Sequence, residues 1–179
     1  MMFIVGGTLL AIIIGLIIGS ARRDRQQAAK LRVVQHRLSA RYKPEQLFVS
    51  SWDQSALGLS PDRGEVVLGS AQDDAAWPIT AILAVEGLRD GTVIRRVGRD
   101  DAAAPAAPSG GKGDVIRINT LDLRITVDDP ARPVWTVRFF DWPAGGVSPG
   151  NVAFQAAAKD AERWFALLQQ AMAAGPSKT

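Results

Sequence analysis

The sequence predicts a transmembrane helix at the N-terminus followed by one α+β domain, mainly β, in which short antiparallel strands are capped by a C-terminal helix. Three observations carry this expectation. Met2 to Gly19 (MFIVGGTLLAIIIGLIIG) is an uncharged run of eighteen residues. From Leu47 onward the apolar residues fall into short runs, several alternating with period two, and from Asn151 they recur every three or four positions. The first pattern suits a lipid-crossing helix, the second half-buried strands, the third an amphipathic helix.

A helix rising about 1.5 Å per residue covers roughly 27 Å over Met2–Gly19, close to the hydrocarbon thickness of a bilayer. Signal peptides place positive charge before a shorter apolar core and end in a small-x-small site. Here the charge follows the run, at Arg22, Arg23 and Arg25. The reading is therefore a retained single-pass anchor, with the N-terminus outside and the bulk of the chain in the cytoplasm. Gly7, Ala11, Gly15 and Gly19 recur every four residues and form one stripe of small side chains. Such a stripe lets two transmembrane backbones approach closely, so a homo-oligomer packed through these positions is one expectation.

The segment 20–43 reads as a basic juxtamembrane helix. From Arg22 to Lys43 eight cations face one acid, a charge of +7, whereas the whole chain carries +3 and the remainder from Pro44 carries −4. The basic character thus belongs to one short segment. That argues against nucleic acid, which asks for cations on the folded part. It suits anionic lipid head groups, with Arg22, Arg23, Arg25, Lys30 and Arg32 nearest the anchor as the expected contacts. Ala21 to Arg41 lacks Pro and Gly, and Leu31, Val34 and Leu38 form a narrow apolar strip. Two readings fit: a stalk or interfacial helix, or a helix packed on its own domain. Pro44 ends it. His36, alone among arginines, reads as a solvated surface residue.

The domain is expected over 44–174. Leu47–Trp52, Ala56–Leu59 and Glu65–Leu68 are strand-like runs, and Ser60-Pro61-Asp62-Arg63-Gly64 between the last two is a turn signal. Ile79–Leu88 and Thr92–Val97 are joined through Asp90-Gly91, a hairpin signal. Leu121–Val127 and Val134–Phe140 form a further pair across Asp128–Pro133. These make seven strands.

Asp100 to Asp114 (DDAAAPAAPSGGKGD) is poor in bulky apolar residues and reads as a flexible loop, 100–114. Its Gly-Gly-Lys-Gly fragment lacks the spacing, the following Ser or Thr and the helix of a phosphate-binding loop. Phe154, Ala157, Ala161, Trp164, Phe165, Leu168 and Met172 trace the apolar face of a helix over Asn151–Ala173. Asn151 or Ser148 caps it, Trp164 belongs to the core, and Gly175-Pro176 begins a disordered tail, 175–179.

Short strands followed by one helix describe a strongly bent sheet or open barrel plugged by that helix. In its order of elements, with Asp90-Gly91, then LDLRITVDDPARPVWTVRFF, then a terminal helix bearing Trp164, the chain resembles the bacterial pleckstrin-homology-like (PH-like) domains of uncharacterised membrane-anchored proteins. The resemblance spans Leu47 to Met172. It implies a seven-stranded split barrel capped by a helix, working as a binding or scaffolding module at the bacterial inner membrane. Members that hold phosphoinositides use Lys and Arg of the first hairpin loop, whereas the matching Ser51–Ser55 (SWDQS) has no cation and one acid.

Catalysis finds little support. The chain has one His and no Cys, and its doubled acids (Asp73-Asp74, Asp100-Asp101, Asp128-Asp129) fall in expected loops. Neither a metal site nor an acid/base pair is legible, so no enzyme and no cofactor is expected. Three roles follow in order: a membrane-tethered module that receives a protein partner on a strand edge or in the cleft beside its helix, a structural subunit of a homo-oligomeric envelope assembly, and a lipid-sensing domain.

Overall fold

The computed structural model describes residues 25–99, 116–143 and 145–174. Residues 25–42 are helical (α1). Lys43 takes a positive φ of 46° and its N–H bonds back to the Ser39 carbonyl at 3.1 Å, so the helix stops in a left-handed residue just before Pro44. Four antiparallel strands follow as a meander: β1 (Gln46–Val49), β2 (Ala56–Ser60), β3 (Glu65–Gly69) and β4 (Asp74–Pro78). After a single 3-10 turn at Ile79–Ala81 come β5 (Ile82–Arg89), β6 (Thr92–Gly98), β7 (Thr120–Val127) and β8 (Val134–Asp141). These form a second antiparallel sheet in the order β6-β5-β7-β8. The chain ends in α2 (Val152–Ala174).

This corrects the fold class read from the sequence, a transmembrane helix plus a PH-like split barrel. The described chain is mainly β, with two separate four-stranded antiparallel sheets and a C-terminal helix, in place of one seven-stranded barrel. The eighth strand is β4 (DAAWP). Two alanines, an acid and a terminal proline hide it from any reading based on apolar alternation, yet it pairs with β3 from Gly69↔Asp74 to Glu65↔Pro78. No helix among the described residues is long and apolar enough to cross a membrane. The physical reason is plain in both: α1 carries Arg25, Lys30, Arg32, Arg37 and Arg41, and α2 carries Lys159, Asp160, Glu162 and Arg163. The apolar run 2–19, the loop 100–114 and the tail 175–179 lie outside the described residues.

Pleating divides each sheet into two faces. In the first sheet Leu57, Leu59, Val66 and Leu68 face the second sheet and are fully buried, while Ala56 and Val67 face the other way. Onto that outer face α1 sets Val34 and Leu38, both buried. The approach is close because the sheet is glycine-bearing there. A Cβ on Gly69 would lie 3.4 Å from both Leu38 methyls, and one on Gly58 would lie 3.0 Å from the Pro44 Cβ. Of the two readings of the basic segment, residues 25–42 follow the second, a helix packed on its own sheet.

In the second sheet Val85, Leu123, Ile125 and Val137 face inward and join the core with Trp135 and Phe139. Ala161, Trp164, Phe165 and Leu168 of α2 complete the same cluster. Asn151 is the residue that caps α2: its Oδ1 accepts the N–H groups of Ala153 and Phe154 at 3.0 and 3.1 Å. Asp90 and Gly91 turn β5 into β6 with φ values of 51° and 76°, both positive as a two-residue I′ hairpin requires. The Asp90 carboxylate also accepts the N–H groups of Asn119 and Thr120, tying the turn to the start of β7.

Candidate functional site

A cleft of about 310 Å³ opens where α2 leaves the inner face of the second sheet. Its floor comes from strand alternation. Arg89, Gly87 and Val85 share the inward face of β5, paired with Leu121, Leu123 and Ile125 of β7. Arg95 of β6 lies opposite Gly87, and a β-bulge at Gly87/Leu88 interrupts the ladder there. Because Gly87 has no side chain, the sheet is open between the two arginines. A Cβ placed on it would come within 3.6 Å of the Arg95 Cβ and 3.8 Å of Ile94, ordinary contact distances. The helix side is Phe154, Ala158, Ala161 and Phe165, with Glu162 at the rim.

The arginines set the electrostatics. The Arg95 guanidinium sits 4.3 Å from the centre of the Phe165 ring, an attraction between cation and ring face. Asp122 borders the cleft through its backbone position on β7, but its carboxylate is held by Arg138 on the opposite face, Nε to Oδ1 at 3.0 Å. Arg138 also donates to Asp141 at 2.7 Å. Burial pushes the Asp122 carboxyl above its ordinary value, and the Arg138 bond only partly offsets this. On that same outer face Glu86 accepts Arg124 Nε at 2.6 Å and stands 3.8 Å from Arg96. The outer face is therefore a ladder of paired charges. Among the described residues neither Arg89 nor Arg95 has a carboxylate within 4.0 Å.

The sheet edges are treated unequally. β1 is only four residues long. β4 ends in Pro78, and its Asp74 carbonyl accepts the Tyr42 hydroxyl at 3.3 Å. β8 is capped by the β1–β2 turn, where the Trp52 indole donates to the Phe139 carbonyl at 3.1 Å and the Ser55 hydroxyl accepts the Arg138 N–H at 2.9 Å. β6, seven residues long and bordering the cleft, pairs only with β5 among the described residues.

The residues singled out in the sequence lie elsewhere. Arg25, Lys30 and Arg32 are exposed on α1, whereas Arg37 and Arg41 are engaged by Asp74, each at 3.1 Å. Arg22, Arg23, Gly7, Ala11, Gly15 and Gly19 lie outside the described residues, as do Asp100-Asp101 and the Gly-Gly-Lys-Gly fragment. His36 is exposed. The loop Ser51–Ser55 is a structural corner: Asp53 accepts both the N–H and the hydroxyl of Ser55. Asp74 is a strand residue and not a loop acid, and Asp129 shapes its own turn by accepting the Ala131 N–H at 2.8 Å. Among the described residues no group of three or more His, Cys, Asp or Glu could hold a metal ion.

The sequence reading missed Gly87, Arg89 and Arg95. One signal was present: consecutive Arg95 and Arg96 in TVIRRV must point to opposite faces of a strand, so one of them lies on the face that borders the cleft, where Arg95 stands exposed at its lining. The chain matches no protein-family model, no curated protein and no solved structure.

Proposed function

We propose that this domain is a non-catalytic binding module that takes an extended protein segment along β6, with side chains of that segment entering the cleft under α2. The observation that carries the reading is the pairing of an edge strand, seven residues long and without a second neighbour among the described residues, with an apolar cleft beside it. Strand addition supplies affinity through main-chain hydrogen bonds, and pockets for alternate side chains supply selectivity. The cleft has the size range of a small-ligand site and apolar walls with few polar groups. Its acids favour binding over acid/base work, because Asp122 is tied to Arg138 on the far face while Glu162 is the one acid that α2 contributes to the cleft lining.

The test is amide hydrogen exchange of the full chain with a peptide selected against it from a random library. Protection should rise along Thr92–Gly98 and stay unchanged along Gln46–Val49. Protection that appears elsewhere while β6 is unaffected overturns the reading.

A further inference from the structure

We propose that the segment received by the cleft is acidic: it carries an Asp or Glu side chain next to a bulky apolar one, the carboxylate bound by Arg89 and Arg95 and the apolar group seated between Phe154 and Leu123. This rests on the β6 reading above and specifies the chemistry of its ligand.

Register places both arginines on the core-facing side of the sheet, Arg95 opposite Gly87 and Arg89 opposite Leu121. An arginine offers five N–H donors and no acceptor. Arg89 is half-buried and Arg95 exposed, and among the described residues neither donates to a side chain or carbonyl, in contrast to Arg96, Arg124 and Arg138 on the outer face of the same sheet, all of which are paired. The stacking of Arg95 on Phe165 uses only the flat face of the guanidinium. Its donor edges stay available for the two-pronged bond that a carboxylate accepts. Gly87 leaves space beside them, and Phe154 with Ala158 keeps the adjoining wall apolar.

The charge balance points the same way. Asp122 is neutralised by Arg138, so Glu162 is the acid left at the cleft against two cations. Inward-pointing cations also protect an edge from random strand pairing. Here that protection is selective, since it repels basic strands and attracts acidic ones. A fatty acid carries the same carboxylate and apolar tail but makes no use of the β6 main chain, and so fits these observations less fully than a peptide.

Random nonapeptides are to be selected by display against the full wild-type chain and against the Arg89→Gln, Arg95→Gln double variant. The wild-type pool should be enriched in Asp or Glu adjacent to Leu, Ile, Val or Phe. The strongest wild-type peptide should bind the double variant at least about tenfold more weakly, a loss of about 1.4 kcal/mol, and Arg95→Lys should fall between the two because it keeps the charge and loses the fork. A wild-type pool without acidic enrichment, or equal binding by the double variant, overturns this inference while leaving the binding reading intact. Selection of no peptide that depends on the cleft, judged by loss of binding in Ala158→Phe, overturns the binding reading and this inference with it. Displacement of the peptide by sodium oleate, with oleate binding more tightly and through the same two arginines, overturns the choice of a peptide.

Discussion

Asp122 is 7 % exposed, and removal from water favours its neutral form more than the bond from Arg138 favours the charged one. The sign of its effect on stability follows from proton counting. With its pKa raised in the fold, the folded chain binds more protons than the unfolded chain between the ordinary value of 3.8 and the raised one. Stability from this group is thus fully present below 3.8 and is lost as pH rises through the folded value. Asp122→Asn removes the titration while keeping the shape, and Arg138 retains Asp141. Urea unfolding of the two proteins should therefore show wild type losing stability relative to the variant as pH climbs past 3.8 toward neutrality. A relative gain over that interval means that Arg138 outweighs burial. The arginines of the cleft contrast with Arg138 at this scale. Arg138 is held by the fold on two sides, while Arg89 and Arg95 point into open space lined by apolar groups.

At the scale of elements the two helices are seated by different means. α2 is amphipathic over its whole length, and its stripe of Ala161, Trp164, Phe165 and Leu168 enters the main core. α1 has a narrow seam in a separate cluster with Ala56 and Val67, reinforced by Arg37 and Arg41 on Asp74 and by Arg37 on the carbonyls of Ser70 and Ala71. The arginine ends of those ion pairs are partly exposed, Arg37 by 33 % and Arg41 by 64 %, so water screens them although Asp74 is buried. The seam itself must hold the helix. Leu38 is fully buried, so Leu38→Ala should lower the unfolding free energy by about 2–4 kcal/mol in chemical denaturation. An effect near zero would mean that α1 stands away from the sheet in solution, as a stalk does. β4 shows the limit of pattern reading among the strands. Its DAAWP sequence has no alternation, and it becomes a strand because β3 offers a free edge and Trp77 packs at 5.3 Å against Trp135 across the sheets.

For the molecule as a whole, the arrangement leaves one flank softer than the rest. β5 and β7 are hydrogen-bonded on both sides and mostly buried, whereas β6 is half-buried to exposed, bulged opposite Gly87, and bonded on one side among the described residues. Opening free energies follow such differences in burial and bonding. In the free protein, amides of Thr92–Gly98 should exchange faster than those of Ile82–Arg89 and Thr120–Val127, as measured residue by residue by hydrogen exchange. Equal protection across the three strands would mean that the β6 edge is covered in solution, and strand addition would lose its site.

The local features were legible because they depend on neighbours in sequence. The Asp90-Gly91 hairpin needs only two residues that tolerate positive φ, the α2 stripe only spacing by three and four, its cap only a side-chain oxygen at Asn151, and the uneven charge only counting. Tertiary structure decided what depends on distant partners. It made a strand of Asp74–Pro78, laid residues 25–42 on the first sheet, put Asp74 between two arginines, and turned Gly87, Arg89 and Arg95 into a cleft with residues of α2 far along the chain. The reason is physical: period and turn chemistry act over a few residues, while the pairing of a sheet edge, the burial of a face and the charge balance of a cleft exist only once segments remote in sequence have met.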